Sequence, residues 1–404
     1  MTAYFLLIEL LFFAFVVYLR VVKKEFAVIY LPVLFFTRLN FSFSTRMIFW
    51  YMILAGMIVY LMYTHRGFTK NNPYAILLAV YFTILLFFSS SISSVRPAYT
   101  STTVLFLSIP IIHNLYKIYG RPVIEKELYK MSVIILLLFI SNTVMSTVTG
   151  YTGGRDMYGL GGLSYGHMFA TNFNIIPVVL FFLLYKLTGR YTVFGMAIAI
   201  ISFALVVLSM RRSVFVTAVL AGAIFVLMLL MQRNKSNAFI TIYAVGATVL
   251  IVVLSTGVLD TFWERYEGRG LGERDFLSGR EGRFIEYQLV YSDMFIYHRY
   301  NPITGYELFN SGGNYGNGIF GERSLHSDIT AIVHASGLVG LLLYLLMIFR
   351  AFNVSYKLAW SRIDKLIILF CAIALIIYSL TGRFTNADYM IVLFLIVLLP
   401  LTKN

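Results

Sequence analysis

The chain is 404 residues long but has only one cysteine, eight prolines and eighteen acidic residues. The lone thiol, Cys371, excludes any intrachain disulfide and with it a secreted disulfide scaffold. Charged residues make up only 12%, too few to cover a water-facing surface of this size, so the ordinary soluble classes are excluded. No Asp-x-Asp pair occurs and the acidic residues are scattered, so the sequence points to a reaction without a metal and to no cofactor. What the chain does have is apolar side chains, 59% of the total, and that excess rules out disorder. Its principal solvent is lipid.

A membrane-crossing helix needs roughly 20 mostly apolar residues. Such runs stand near 2–19, 47–63, 74–92, 99–116, 131–148, 167–187, 191–209, 213–231, 238–257, 329–349, 366–381 and 389–402. A shorter run, 26–37, contains Pro32 and is open to two readings, a span or a re-entrant piece. The expected fold is therefore all-α, a polytopic membrane protein with 12 or 13 spans. It divides into a bundle over 1–257, a large polar connection over 258–328 and closing spans over 329–404. The first run reads as a helix rather than a cleaved leader, with no basic start and with Glu9 inside the apolar stretch.

The net charge of +14 is explained by topology rather than by nucleic acid, because loops held in the cytoplasm carry excess Lys and Arg. Counted on that rule, every lysine falls on one side, while the opposite side carries arginines such as Arg96, Arg155, Arg299, Arg323 and Arg383. Arginine offers a planar fork of donors suited to phosphate, and it cannot lose its charge. Pairing with the outer carboxylates is the plainer alternative. The connection 258–328 would lie on this outer, periplasmic side. Its middle reads as an amphipathic interfacial helix through Phe284, Tyr287 or Gln288, Tyr291 and Phe295. Its last part is rich in Gly and Asn with interspersed aromatic rings.

Three constellations carry chemistry. Ser209-Met-Arg-Arg-Ser213 puts Arg211 and Arg212 at the outer end of two apolar runs. Adjacent guanidiniums repel unless an anion lies between them, although a snorkelling pair is the alternative. Ser278-Gly-Arg-Glu-Gly-Arg283 places Arg280 and Arg283 before the interfacial helix, and Ser324-Leu-His-Ser-Asp328 sets His326 at the mouth of a span. Two arginine sites and an imidazole are what group transfer from a lipid diphosphate needs: charge at the leaving group and a base for the acceptor hydroxyl.

At these residues the chain resembles the bacterial O-antigen ligase and O-antigen polymerase superfamily. The resemblance runs through Ser209-Met-Arg-Arg212, Ser278-Gly-Arg280, Pro302-Ile-Thr-Gly-Tyr306, His326 and Gly337-Leu-Val-Gly340, over roughly residues 200–350. Two positions depart from the pattern: Ser327 stands where many relatives have Asn, and Glu307 where Gly is usual. The resemblance implies a helical architecture like that of lipid-dependent (GT-C-like) glycosyltransferases. It further implies metal-independent inverting transfer at the periplasmic face of the bacterial inner membrane, from an undecaprenyl-diphosphate-linked glycan. Arg212 and Arg280 would hold the diphosphate, with Arg211 and Arg283 as second contacts, and His326 would activate the acceptor. Tyr306 and Tyr315 are candidate sugar contacts.

The expected activity is a polymerase joining lipid-linked repeat units, with a chain-length regulator as a further partner. Two alternatives stand beside it: a ligase delivering the glycan to a lipid A-core acceptor, and a transporter of an anionic lipid-linked substrate. The arginines and the histidine serve polymerase and ligase equally, so the preference for a polymerase rests on how common such enzymes are.

Overall fold

A computed structural model describes residues 2–153, 162–168, 170–189, 192–209, 211–231, 260, 282–381 and 386–403. The side chains of residues 281–284, and all of the predicted span 238–257, lie outside this description. Among the described residues the chain is helical and has no strand, only two isolated bridges. Seven helical segments among the described residues are long and apolar enough to cross a membrane, and three more apolar helices are shorter. The chain is thus an all-α, multi-pass membrane protein. The expected 12 or 13 full-length spans are not all of one kind.

The chain opens with α1 (Thr2–Tyr18), a π turn and a 3-10 stretch over 19–30, and α2 (Leu31–Asn40). Together 2–40 form one nearly continuous helical segment that turns back at Lys24, whose φ is 45°. The ring contacts Phe15–Tyr30, Phe12–Phe43 and Tyr4–Phe41 show the two arms running antiparallel. Run 26–37 therefore returns across the bundle, buried along its length. Pro32 is accommodated in the first turn of α2, where its missing N–H costs nothing. Glu9, acidic inside an apolar run, is satisfied by the backbone and hydroxyls of Ser44 and Thr45. The outer stripe of α1, including Leu6, Leu10 and Val17, is exposed, as expected of a face against lipid.

Then follow α3 (Met47–Thr64), α4 (Pro73–Leu86), α5 (Ile92–Ile118), α6 (Arg121–Thr149), α7 (Ile175–Gly189), α8 (Val193–Leu208) and α9 (Arg212–Leu230). After them come α10 (Gly282–Tyr291), α11 (Asp328–Leu358), α12 (Arg362–Thr381) and α13 (Ala387–Val397). Helix α7 is the innermost long helix, with 78% of its apolar window buried, and it packs against α6, α8, α9 and α13. All eleven residues of α13 are buried, so it fills the centre and does not face lipid. The expected span at 99–116 falls inside α5, whose first half is too polar for lipid and whose second half is core. The expected spans 74–92, 191–209 and 389–402 form helices of only 14, 16 and 11 residues, below the length of a full crossing. Apolar composition marks burial, and protein can bury a helix as well as lipid can.

The two ends of the bundle differ. At one end the basic connections meet: Lys23 pairs with Glu127 at 2.5 Å, Arg121 with Asp364 at 2.8 Å, and Arg121 N–H donates to the Lys403 carbonyl at 2.8 Å. At the other end lie the segment after α4, residues 151–153 and 162–168, the start of α9, and residues 282–328. Phe5 meets Tyr151 there at 5.1 Å, which puts the chain's first turn on that side.

Candidate functional site

The site builds from α10. Its sequence GRFIEYQLVY leads into a π turn, Ser292–Ile296, and the buried stripe through both is Glu286, Val290, Asp293 and Met294. Tyr291 and Phe295 are exposed and their rings touch at 5.1 Å, as an interfacial face requires. Tyr287 turns inward instead. Its hydroxyl lies 2.5 Å from Ser327 Oγ, and Ser327 Oγ donates to the Ser379 carbonyl at 3.1 Å, so the phenol must be the donor to Ser327. Burial, with the Asp328 and Glu286 charges nearby, holds that phenol above its ordinary value and keeps it protonated.

Glu286 is fully buried, an acid inside the apolar stripe of an amphipathic helix. Its Oε1 accepts from Arg323 Nη2 at 2.8 Å, and its Oε2 accepts from the His326 backbone N–H at 2.9 Å. The same Oε1 lies 3.1 Å from His326 Nδ1, and Arg323 Nε lies 3.1 Å from that nitrogen too. Burial pushes the Glu286 carboxyl up. The His326 ring and backbone donors and the Arg323 charge outweigh it, so the carboxyl sits below its ordinary value. A neutral Nδ1 either donates to Glu286 or accepts from Arg323, and the choice decides whether Nε2 offers a lone pair or a proton. The ring is about one-third exposed, so the second nitrogen is within reach of solvent-side chemistry. A carboxylate that orients an imidazole is the arrangement that makes histidine an effective general base.

The segment Asn301–Tyr306 and the break in α11 form one interlocked unit. Gly337 has φ 64° and ψ −165°, which interrupts the helix and releases backbone groups on both sides. Tyr306 N–H donates to the freed His334 carbonyl at 2.7 Å, and Leu338 N–H donates to the Pro302 carbonyl at 2.8 Å. The backbones approach so closely that a Cβ at Gly337 would lie 2.2 Å from the Ile303 carbonyl oxygen. One at Gly305 would lie 2.6 Å from the His334 carbonyl oxygen. Two separate sequence patterns, Pro-x-x-Gly-Tyr and Gly-Leu-x-Gly, are thus halves of one clasp. Above it, the buried His334 ring lies against Tyr300 and Tyr306 at 5.2 and 5.3 Å. Glu307, the departure from the resembled pattern, ties the clasp to Ser90 Oγ at 2.7 Å and to Asn310 Nδ2 at 2.6 Å.

The candidate residues distribute as follows. His326 stands at the loop–helix junction, and Tyr306 is exposed, its ring against His334. Tyr315 is buried in the small core with Val290, Met294, Tyr300 and Leu325, a packing position that closes its ring to a ligand. Arg211 turns inward, with Nε and Nη2 shut from solvent and its guanidinium 5.9 Å from the Phe173 ring. Arg212, the preferred diphosphate contact on sequence grounds, is the exposed member of the pair. Arg211 and Arg212 lie at the start of α9, which packs on α12, and the far end of α12 receives Ser327. They therefore share an end of the bundle with His326. Arg280 and the Arg283 side chain lie outside the described residues. Two other outer arginines are paired with acids, Arg299 with Asp293 at 2.6 Å and Arg323 with Glu286, as the plainer reading of outer arginines expects. Sequence reasoning singled out neither Glu286 nor His334. The acid on the apolar face of α10 was the available signal for Glu286.

Among the described residues no three His, Cys, Asp or Glu side chains stand together as metal ligands would. Compared with known proteins, the chain matches no protein family model and no curated protein.

Proposed function

We propose that the chain is a polysaccharide polymerase of the bacterial inner membrane, joining undecaprenyl-diphosphate-linked repeat units at the periplasmic face. The observation that carries the reading is His326 held through Nδ1 by the buried Glu286, at the end of the bundle where the paired arginines also lie. The acceptor hydroxyl gives its proton to His326 as its oxygen bonds to the anomeric carbon of the donor. The bond from that carbon to the diphosphate breaks with inversion, and arginine charge stabilises the departing diphosphate. Arg280 keeps this role from the sequence. Between the adjacent pair, the inward turn of Arg211 favours it over Arg212. Tyr306 offers an exposed ring face on a rigid support, suited to stacking on a sugar.

The test is transfer in vitro with purified protein, lipid-diphosphate-linked oligosaccharide and excess chelator. Elongated lipid-linked glycan is expected, and its complete absence with intact wild-type protein overturns the proposal. Arg211→Ala should lower transfer more than Arg212→Ala, and Arg280→Lys should fail because an ammonium lacks the bidentate fork. A product found only on a lipid A-core acceptor would make the enzyme a ligase, and substrate crossing vesicles without reaction would make it a transporter.

A further inference from the structure

A cavity of about 740 Å³ opens at the basic end, on the opposite side of the bundle from His326, between α6, the end of α7 and the start of α8. Its charged wall is mostly neutralised from within. Glu125 pairs with Arg121 at 2.8 Å and Lys186 at 2.6 Å, and Arg121 also pairs with Asp364, so two cations meet two carboxylates. Lys126 lines the same cavity, is exposed, and has no carboxylate partner among the described residues. Among the described residues it leaves the wall one positive charge in excess.

Two hydroxyls complete the wall. Thr192 Oγ1 caps α8 by accepting from Gly195 N–H at 3.2 Å, so its own proton is directed away from the helix. The Tyr129 hydroxyl has no hydrogen-bond partner among the described residues. Both crowd Gly195, where an added Cβ would lie 2.7 Å from Thr192 Oγ1 and 3.4 Å from the Tyr129 oxygen. Ammonium, phenol and hydroxyl thus present donors around one opening. Next to Thr192 on the outer surface stand Val193 and Phe194, 77% and 60% exposed, a greasy lip where α8 meets lipid.

We infer that this cavity binds the headgroup of an anionic phospholipid. The surplus of a single charge matches a phosphodiester, which carries one negative charge, and the apolar lip gives the acyl chains a place to lie. Basic pockets between helices at a membrane face suit lipid phosphates for the same electrostatic reason. The inference is independent of the glycan reading.

The test uses full-length protein in neutral detergent, challenged with phosphatidylglycerol or phosphatidylcholine and read by native mass spectrometry and thermal shift. Phosphatidylglycerol should be retained at least about fivefold more than phosphatidylcholine, a difference of about 1 kcal/mol. Lys126→Gln and Tyr129→Phe should each reduce that preference while leaving the lipid-free melting temperature unchanged. Equal retention of the two lipids, or full preference in both variants, overturns the inference. Inorganic phosphate alone, stabilising the wild type but not Lys126→Gln and displacing phosphatidylglycerol, would assign the cavity to free phosphate and overturn the lipid assignment.

Discussion

At the basic end Glu125 lies beneath Arg121, Lys186 and the Tyr185 hydroxyl, whereas at the other end Glu286 lies beneath Arg323 and His326. Both carboxylates are buried and both are met by several donors. The difference is in the cations. Those over Glu125 are an arginine and a lysine, and the cluster ties α6 to α7 and, through Arg121 and Asp364, to α12. Over Glu286 one partner is an imidazole, whose ring nitrogens can each donate or accept a hydrogen bond according to tautomer. The same device, a buried acid under basic groups, is a staple at one end and holds an imidazole at the other. A second contrast separates the backbones. The basic end meets mainly through side-chain ion pairs, with one main-chain bond from Arg121 to Lys403, while the outer end is locked by main-chain hydrogen bonds beside Gly305 and Gly337.

The largest expected effect breaks the comparison at its reactive end. His326→Ala should lower transfer by about 10²–10⁴-fold, the usual worth of a positioned general base, while lipid-linked donor still binds. Glu286→Gln keeps the shape but removes the charge, and should cost at least about tenfold, near 1.4 kcal/mol in the barrier. Glu125→Gln at the other end should leave transfer per folded molecule unchanged. If Glu125→Gln and Glu286→Gln reduce turnover equally, the two clusters have the same role and His326 loses its special place.

Next in size is the backbone clasp. Gly337→Ala must abandon the positive φ or push the Ile303 carbonyl away, and either should cost about 1–3 kcal/mol or more. Gly340→Ala should cost less, because its backbone φ is not positive; the added Cβ meets the Ser336 hydroxyl, which can rotate, and Ser336 Cβ at 2.5 Å, which moves only with α11. Thermal inactivation in detergent separates them, and equal losses would mean that the close approach at Gly337 is relieved elsewhere. A smaller effect again is expected of Glu125→Gln on stability, about 1–2 kcal/mol, since Arg121 retains Asp364.

Much of this was legible in the sequence. Hydropathy alone yields the all-α membrane class, and the sorting of lysines anticipates the basic end where Lys23, Lys186 and Lys403 meet. The His326 and Gly337 positions were visible as short patterns, but their partnership with Glu286 and Gly305 was not. Those contacts span 40 and 32 residues of chain, and no periodicity encodes where a loop will fold back. Tyr315 shows the opposite error: a tyrosine in a glycine-rich stretch looks like a ligand contact, yet enough apolar residues surround that stretch to build a small core. The lengths of the short helices were unreadable because a buried helix and a lipid-facing one draw on the same amino acids. Helix α13 is the extreme case.

The smallest effect is the pH dependence of the outer cluster, and its sign sharpens the contrast further. Burial alone would raise the Glu286 carboxyl, but the His326 donors and Arg323 bring it below its ordinary value. A depressed carboxyl contributes stability that is fully present above its unfolded value of about 4.3 and is lost only as pH falls through the lower folded value. The contacts among Glu286, Arg323 and the His326 backbone should therefore persist at pH 5.5, with loss confined to pH below about 4. Hydrogen exchange in 282–328, corrected for intrinsic rates, should show protection at pH 5.5 in the wild type and a loss at lower pH. In Glu286→Gln that acid-dependent step should vanish. Were the wild-type segment to open between pH 7 and 5.5 instead, the Glu286 carboxyl would not be the group that anchors the loop.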